Sequence, residues 1–83
     1  MKINLKLYAS LGQYLPENAQ RNVVMIDTAE GASPASVLAD HGVPSEHCHL
    51  VLVNGVYLAP SEREGRPLSE GDSLAVWPPV AGG

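Results

Sequence analysis

Three sets of residues in this 83-residue chain have side chains or ends able to do chemistry. The first is Gly82-Gly83, where a carboxylate stands with no side chain beside it for two positions. Such an end can pass through a narrow channel and adopt dihedrals closed to other residues, which suits a carboxylate that is itself a substrate. The second is His41, His47, Cys48 and His49, whose imidazoles and thiolate are transition-metal ligand types. The third is the charged stretch of Glu62, Arg63, Glu64, Arg66 and Glu70.

The spacing favours the first set. Pro78 and Pro79 lack N–H donors and fix φ near −65°, so they end a sheet ladder and push the following residues into an extended path. The tail 78–83 is expected to project, reaching about 17 Å from Pro79 at roughly 3.3–3.6 Å per residue. The competing reading is a loose terminus of no function. In the second set, an extended backbone over 47–49 turns Cys48 away from both neighbouring histidines, so the three do not close on one ion. No metal site is expected, and Cys48 reads as a small hydrophobe. The lone cysteine also excludes an intramolecular disulfide or a four-cysteine centre within one chain. The third set reads as a solvated loop.

Composition narrows the function classes further. A chain of this size buries only about 60–65% of its unfolded surface, which leaves no room for both a deep cleft and a core. It is expected to present a surface or a tail rather than enclose a substrate. Nine acids against five bases give a net charge of −4, and Lys2, Lys6, Arg21, Arg63 and Arg66 form no run. Nucleic-acid binding needs a concentrated basic stripe, so it is not expected. An acidic surface suits basic partners. No apolar run approaches the ~20 residues that span a bilayer, and no signal-like stretch follows Lys2, so a cytoplasmic protein is expected.

The elements that must position the tail are legible in order. Residues 2–9 alternate with period two, placing Ile3, Leu5, Leu7 and Ala9 on one face and Lys2, Asn4, Lys6 and Tyr8 on the other. Residues 10–20 form a loop tucking Leu11, Tyr14 and Leu15 under the sheet. A second β-rich run, 21–27, pairs back on the first, with both faces apolar and the inward one unassigned. Ser33 as N-cap, Pro34 at the first helical position and Gly42 as the left-handed stop predict a helix over 34–41, with Ala35, Val37 and Leu38 against the sheet. The continuous apolar run 49–54 predicts a strand buried on both sides or nearly so. Asn54-Gly55 then turns tightly into a strand at 56–59. Residues 73–77 are the last strand.

One short helix covers such a sheet only if the last strand lies centrally beside the first. The expectation is one α+β domain over 1–83: a β-grasp mixed sheet of four to five strands with one main helix on one face, as in ubiquitin.

The residues resemble the MoaD/ThiS family of small sulfur carriers. The matching segments are Leu-Tyr-Ala-Ser-Leu (7–11), Leu-Val-Leu-Val-Asn-Gly (50–55), Leu-Ser-Glu-Gly-Asp (68–72) and Pro-Pro-Val-Ala-Gly-Gly (78–83). The ending is similar to the MoaD branch, the small subunit of molybdopterin synthase. Trp77 departs from that branch, where phenylalanine is common, and the chain has no phenylalanine at all. The resemblance implies that a ubiquitin-activating-like adenylyltransferase of the MoeB/ThiF type uses ATP to adenylate the Gly83 carboxylate. A persulfide then converts it to a thiocarboxylate. A sulfur-accepting enzyme such as the molybdopterin synthase large subunit, of the MoaE type, takes up the tail. No cofactor is expected on the carrier itself.

The docking address is expected on the face opposite the helix, at Lys6, Tyr8, Ala75 and Trp77, since aromatic residues are enriched at interface hot spots. The competing reading has Trp77 closing the end of the core. Three function classes stay open at this point: a carrier for molybdopterin, thiamine, cysteine or another thio-product; a ubiquitin-like modifier joined to lysines through Gly83; and an interaction module whose tail is incidental.

Overall fold

The computed structural model of the chain describes residues 1–79. Its elements are strand β1 (Lys2–Leu7), β2 (Val23–Asp27), helix α1 (Pro34–Asp40), β3 (Leu50–Val53), β4 (Val56–Tyr57) and β5 (Ser73–Trp77), with short 3-10 turns at Ala9–Tyr14, Ser45–His47 and Pro60–Glu62. The strands form one five-stranded sheet in the order β2-β1-β5-β3-β4. β5 lies parallel to β1 and antiparallel to β3, while β1–β2 and β3–β4 are antiparallel. The last strand is thus central, and the arrangement is the expected β-grasp.

Period-two alternation decides which side chains go inward. Ile3, Leu5, Leu7, Val51, Val53, Leu74 and Val76 are at most 1% exposed. Registers Leu5↔Leu74, Leu7↔Val76, Val51↔Val76 and Val53↔Leu74 stack them into one apolar layer. Val37 and Leu38 of α1 join that layer with Leu11, Val43, Leu58 and Leu68 from the connections. In β2, Val24 and Ile26 oppose Leu5 and Ile3, so they point inward and Met25 points out, resolving the strand whose faces looked alike.

The helix is seven residues long and is held by its ends. The Ser33 hydroxyl accepts from the Ser36 N–H at 3.2 Å, and the Ser33 N–H donates to the Ser36 hydroxyl at 2.9 Å, a reciprocal cap worth about 1 kcal/mol. At the other end Gly42 sits at φ 75°. There the Gly42 N–H donates to the Ala39 carbonyl and the Val43 N–H to the Leu38 carbonyl, both at 3.0 Å, in the Schellman pattern.

Several boundaries differ from expectation for backbone reasons. β1 stops at Leu7 because Ala9 takes φ 52° and starts a 3-10 turn, leaving Ala9 exposed rather than in the core. β2 begins at Val23 because Arg21 and Asn22, at φ 51° and 68°, form a tight turn closed by paired Gln20 and Val23 backbone bonds. Asn54 and Gly55, at φ 51° and 82°, make the expected turn, but β4 ends at Tyr57. There the chain turns inward to bury Leu58. β3 is buried on one side only, Leu50 and Leu52 being half-buried on the other.

Candidate functional site: the open sheet face and the end of β5

α1 and the connections cover one face of the sheet. Strand register therefore specifies what the other face carries. Lys6 stands opposite Val23 on one side and Ala75 on the other, Ala75 opposite Leu52, and Leu52 opposite Tyr57. Trp77 stands opposite Leu50. Beyond the end of β1, the Tyr8 N–H donates to the Val76 carbonyl at 3.1 Å, which extends the β1–β5 ladder by one residue and brings Tyr8 beside Trp77.

The two rings stack with centroids 4.5 Å apart and planes 12° from parallel. Such a pair is worth about 0.5–1.5 kcal/mol beyond its burial. Both rings are half-buried, and neither belongs to the core cluster. Trp77 therefore does not close the core. Its Val76 neighbour does the core packing, and Trp77 faces the other way. Lys6, Tyr8, Ala75 and Trp77 thus share one face and one end of the sheet. Ala75 is only 9% exposed, its short side chain sitting between Lys6 and Leu52. Met25 and Tyr57, more than half exposed, flank the face at its two edges.

β5 is anchored at both ends. At its start the Asn54 side-chain amide donates to Asp72 Oδ1 and accepts from the Ser73 N–H, both at 2.9 Å, while the Ser69 N–H donates to Asp72 Oδ2 at 2.8 Å. The Asn54 hydrogen bond first, then that from Ser69, holds the Asp72 carboxyl below its ordinary range, with Arg66 adding to the effect. At its finish the His49 N–H donates to the Trp77 carbonyl at 3.0 Å. β5 ends at Trp77, and Pro78 follows half-buried and Pro79 exposed. Val80, Ala81, Gly82 and Gly83, including the carboxylate expected to react, lie outside the described residues.

The charged stretch after β4 is not the solvated loop expected. Glu62, Glu64, Arg66 and Glu70 are exposed, but Arg63 is only 8% exposed. Its guanidinium donates to the carbonyls of Leu58 at 3.2 Å, Cys48 at 2.7 Å and His49 at 3.3 Å. Its own carbonyl accepts from the Ala35 N–H at 2.9 Å, in the first turn of α1. Arg63 thus ties together the start of α1, the entry to β3 and the exit from β4. The signal that points to it is indirect: two buried leucines, Leu58 and Leu68, bracket the polar stretch and draw it against the protein.

The His/Cys set stays dispersed. His41 Nδ1 lies 3.0 Å from the Val37 carbonyl, His47 and His49 are exposed, and Cys48 is buried. Burial pushes the Cys48 thiol above its ordinary range, with Arg63 partly opposing. Among the described residues no three His, Cys, Asp or Glu side chains are grouped to hold a metal ion. Nor is any helix among them long and apolar enough to cross a membrane.

A family model described as Mut7-C ubiquitin matches residues 1–82. Comparison with curated proteins finds no match. Among solved structures, the chain is similar to SAMP1 from Haloferax volcanii, at 26% identity with full coverage of both chains and a TM-score of 0.67. It is also similar to a crystal structure of the H. volcanii small archaeal modifier protein 1, at 24% identity, with 95% of this chain and 98% of that one covered and a TM-score of 0.65. A third likeness is to the complex of subunits 1 and 2 of molybdopterin-converting factor from Helicobacter pylori 26695, at 17% identity, full coverage of both chains and a TM-score of 0.61. The last two speak to the fold alone.

Proposed function

The chain belongs to the Mut7-C ubiquitin family, as a MoaD/ThiS-like ubiquitin-like protein, and on that premise we propose that it is a sulfur carrier acting through its Gly83 carboxylate. A carboxylate is anionic and resists nucleophiles, so it must first be activated. In the proposed sequence a Gly83 oxygen attacks the α-phosphorus of ATP on a partner adenylyltransferase of the MoeB/ThiF type, and pyrophosphate leaves. A persulfide sulfur then attacks the acyl carbon, AMP leaves, and an acyl disulfide remains. A second thiol on the sulfur donor attacks the donor-side sulfur, so the donor is oxidised to a disulfide and Gly83 is released as a thiocarboxylate. An accepting enzyme takes the sulfur. Molybdopterin synthesis, with an acceptor of the MoaE type, is the pathway proposed.

The protein's own residues supply address and reach. The observation that carries the reading is that the central strand β5 leads straight into Pro78-Pro79 at the same end of the sheet as the stacked Tyr8 and Trp77. A partner seated on Lys6, Tyr8, Ala75 and Trp77 would hold the base of the tail beside its own active centre. Gly82-Gly83 would then enter a channel too narrow for side chains. The similarity to a two-subunit molybdopterin-converting factor supports an enzyme as that partner.

A second reading is favoured by the 26% identity to SAMP1: a ubiquitin-like modifier whose Gly83 is joined to lysine amines after the same adenylation. Intact-mass measurement of the protein isolated from its own cells separates the two. A gain of about 16 Da, one oxygen exchanged for sulfur, supports the carrier. Conjugates of higher mass that disappear when Gly83 is removed support the modifier. Neither species in cells active in cofactor synthesis refutes chemistry at Gly83.

A further inference from the structure

On the helix side of the sheet lies a groove of about 490 Å³, within the roughly 300–1,000 Å³ of side-chain and ligand pockets. Ala35, Leu38 and Ala39 of α1 line it together with Val43 and Pro60, so much of its wall is apolar. Its charged lining is Arg63, Glu46 and Glu64. The Arg63 fork is turned onto the Leu58, Cys48 and His49 carbonyls and is buried, whereas Glu46 and Glu64 are exposed. Neither glutamate has a basic partner at ion-pair distance among the described residues. Lys2 pairs with Asp27 at 3.0 Å, Lys6 lies on the opposite face, and Arg66 acts on Asp72. The groove therefore offers solvent an apolar trough with two unpaired carboxylates, on a chain whose net charge is −4.

We propose that this groove docks a basic amphipathic segment of a partner protein. One apolar side chain of the segment packs against Ala35, Leu38, Ala39 and Val43, and flanking Lys or Arg side chains meet Glu46 and Glu64. Charge complementarity selects this occupant: an acidic or neutral segment would leave both carboxylates partly desolvated and unpaired. The site lies across the sheet from Tyr8 and Trp77, so it leaves that face free. It is a second docking surface, and it stands whether or not Gly83 carries sulfur.

The test uses the whole protein and a fluorescein-labelled peptide of about 12 residues, with leucine at helical spacing and lysine elsewhere, against the same peptide with every lysine replaced by glutamate. Fluorescence anisotropy is expected to show binding of the lysine peptide only, weakening as salt is raised. The double variant E46K/E64K is expected to lose about tenfold or more in affinity, two rim pairs being worth roughly 1.4 kcal/mol together. Ala39→Trp, which fills the trough from an exposed helical position, is expected to do the same. The control E17K/E30K changes net charge by the same amount away from the groove and is expected to bind within about twofold of wild type. Trp77→Ala is expected to bind as wild type does. Thermal melts verify folding of each variant, and E46Q/E64Q replaces the reversal if that one melts early. The proposal is overturned by no binding to the wild type, by equal binding of the glutamate peptide, by equal loss in E17K/E30K, or by an Ala39→Trp variant that binds unchanged.

Discussion

Replacing Arg63 with methionine removes a buried cation that, among the described residues, has no carboxylate partner within ion-pair distance and donates its side-chain hydrogen bonds to main-chain oxygens. Methionine keeps most of the apolar stem, so the main loss is polar. The carbonyls of Leu58, Cys48 and His49 each lose a donor, at 3.2, 2.7 and 3.3 Å respectively. At about 1 kcal/mol net for each bond the variant should lose about 3 kcal/mol. The sign is not automatic, because removing the guanidinium also removes the cost of burying it. The carbonyls prevail in this reasoning because they sit at the entry to β3 and the exit from β4, where among the described residues no strand pairs them. At roughly 0.05–0.15 kcal/mol per residue an 83-residue chain has about 4–12 kcal/mol to lose. A 3 kcal/mol loss therefore lowers Tm by about 12–24 °C. Urea unfolding followed by Trp77 fluorescence, with circular dichroism as a second probe, measures it. Arg63→Lys, a point donor in place of a fork, should fall about midway. Arg66→Met, at an exposed site, should stay within about 0.5 kcal/mol of wild type. An Arg63→Met protein within about 1 kcal/mol of wild type would refute the reasoning, since it would mean that burying the guanidinium cancels its bonds.

Other consequences are equally accessible. Asp72 is held below its ordinary range in the folded state, so the stability it adds is present above the unfolded carboxylate value near pH 4 and is lost as pH falls through the lower folded value. The stability gap between wild type and Asp72→Asn should therefore narrow on acidification in urea titrations, and a gap that stays constant down to pH 2 would contradict the assignment. Cys48, buried and with its thiol pushed up, should react with a thiol reagent at least about tenfold more slowly in the native protein than in denaturant; equal rates would show that the thiol is open. Trp77→Ala should cost about 0.5–1.5 kcal/mol of stability through the lost stack with Tyr8. It should also cost about 2 kcal/mol or more in affinity for an activating enzyme measured by calorimetry. Unchanged affinity would remove Trp77 from the docking face.

How much of this was legible in the residues follows the range of the forces involved. Signals that act within a few residues were readable directly. The alternation of Ile3, Leu5 and Leu7, the Ser33 cap with Pro34 behind it, the Gly42 stop, the Asn54-Gly55 turn and the proline pair after Trp77 each set local φ/ψ or periodicity, and the structure holds each where expected. The chemistry proposed for Gly83 is instead what the resemblance of the ending implies, and Gly83 lies outside the described residues. Signals that depend on what a segment meets across the fold were not readable. Nothing local distinguishes the faces of Val23–Asp27; Val24 goes inward because its partner across β1 is Leu5. Trp77 could have closed the core or faced away, and its register opposite Leu50, with Val76 taking the core position, decided it. Arg63 reads as one charge among five in a polar stretch until Leu58 and Leu68 are buried on either side of it and main-chain carbonyls of β3's entry stand within its reach. Local residue pattern therefore specified the order and type of the elements, the helix caps and the tight turns, whereas the ends of β1, β2 and β4 were set by backbone turns that the pattern did not show. Which side chains share a face was set by burial and strand pairing, because these join residues far apart in the chain.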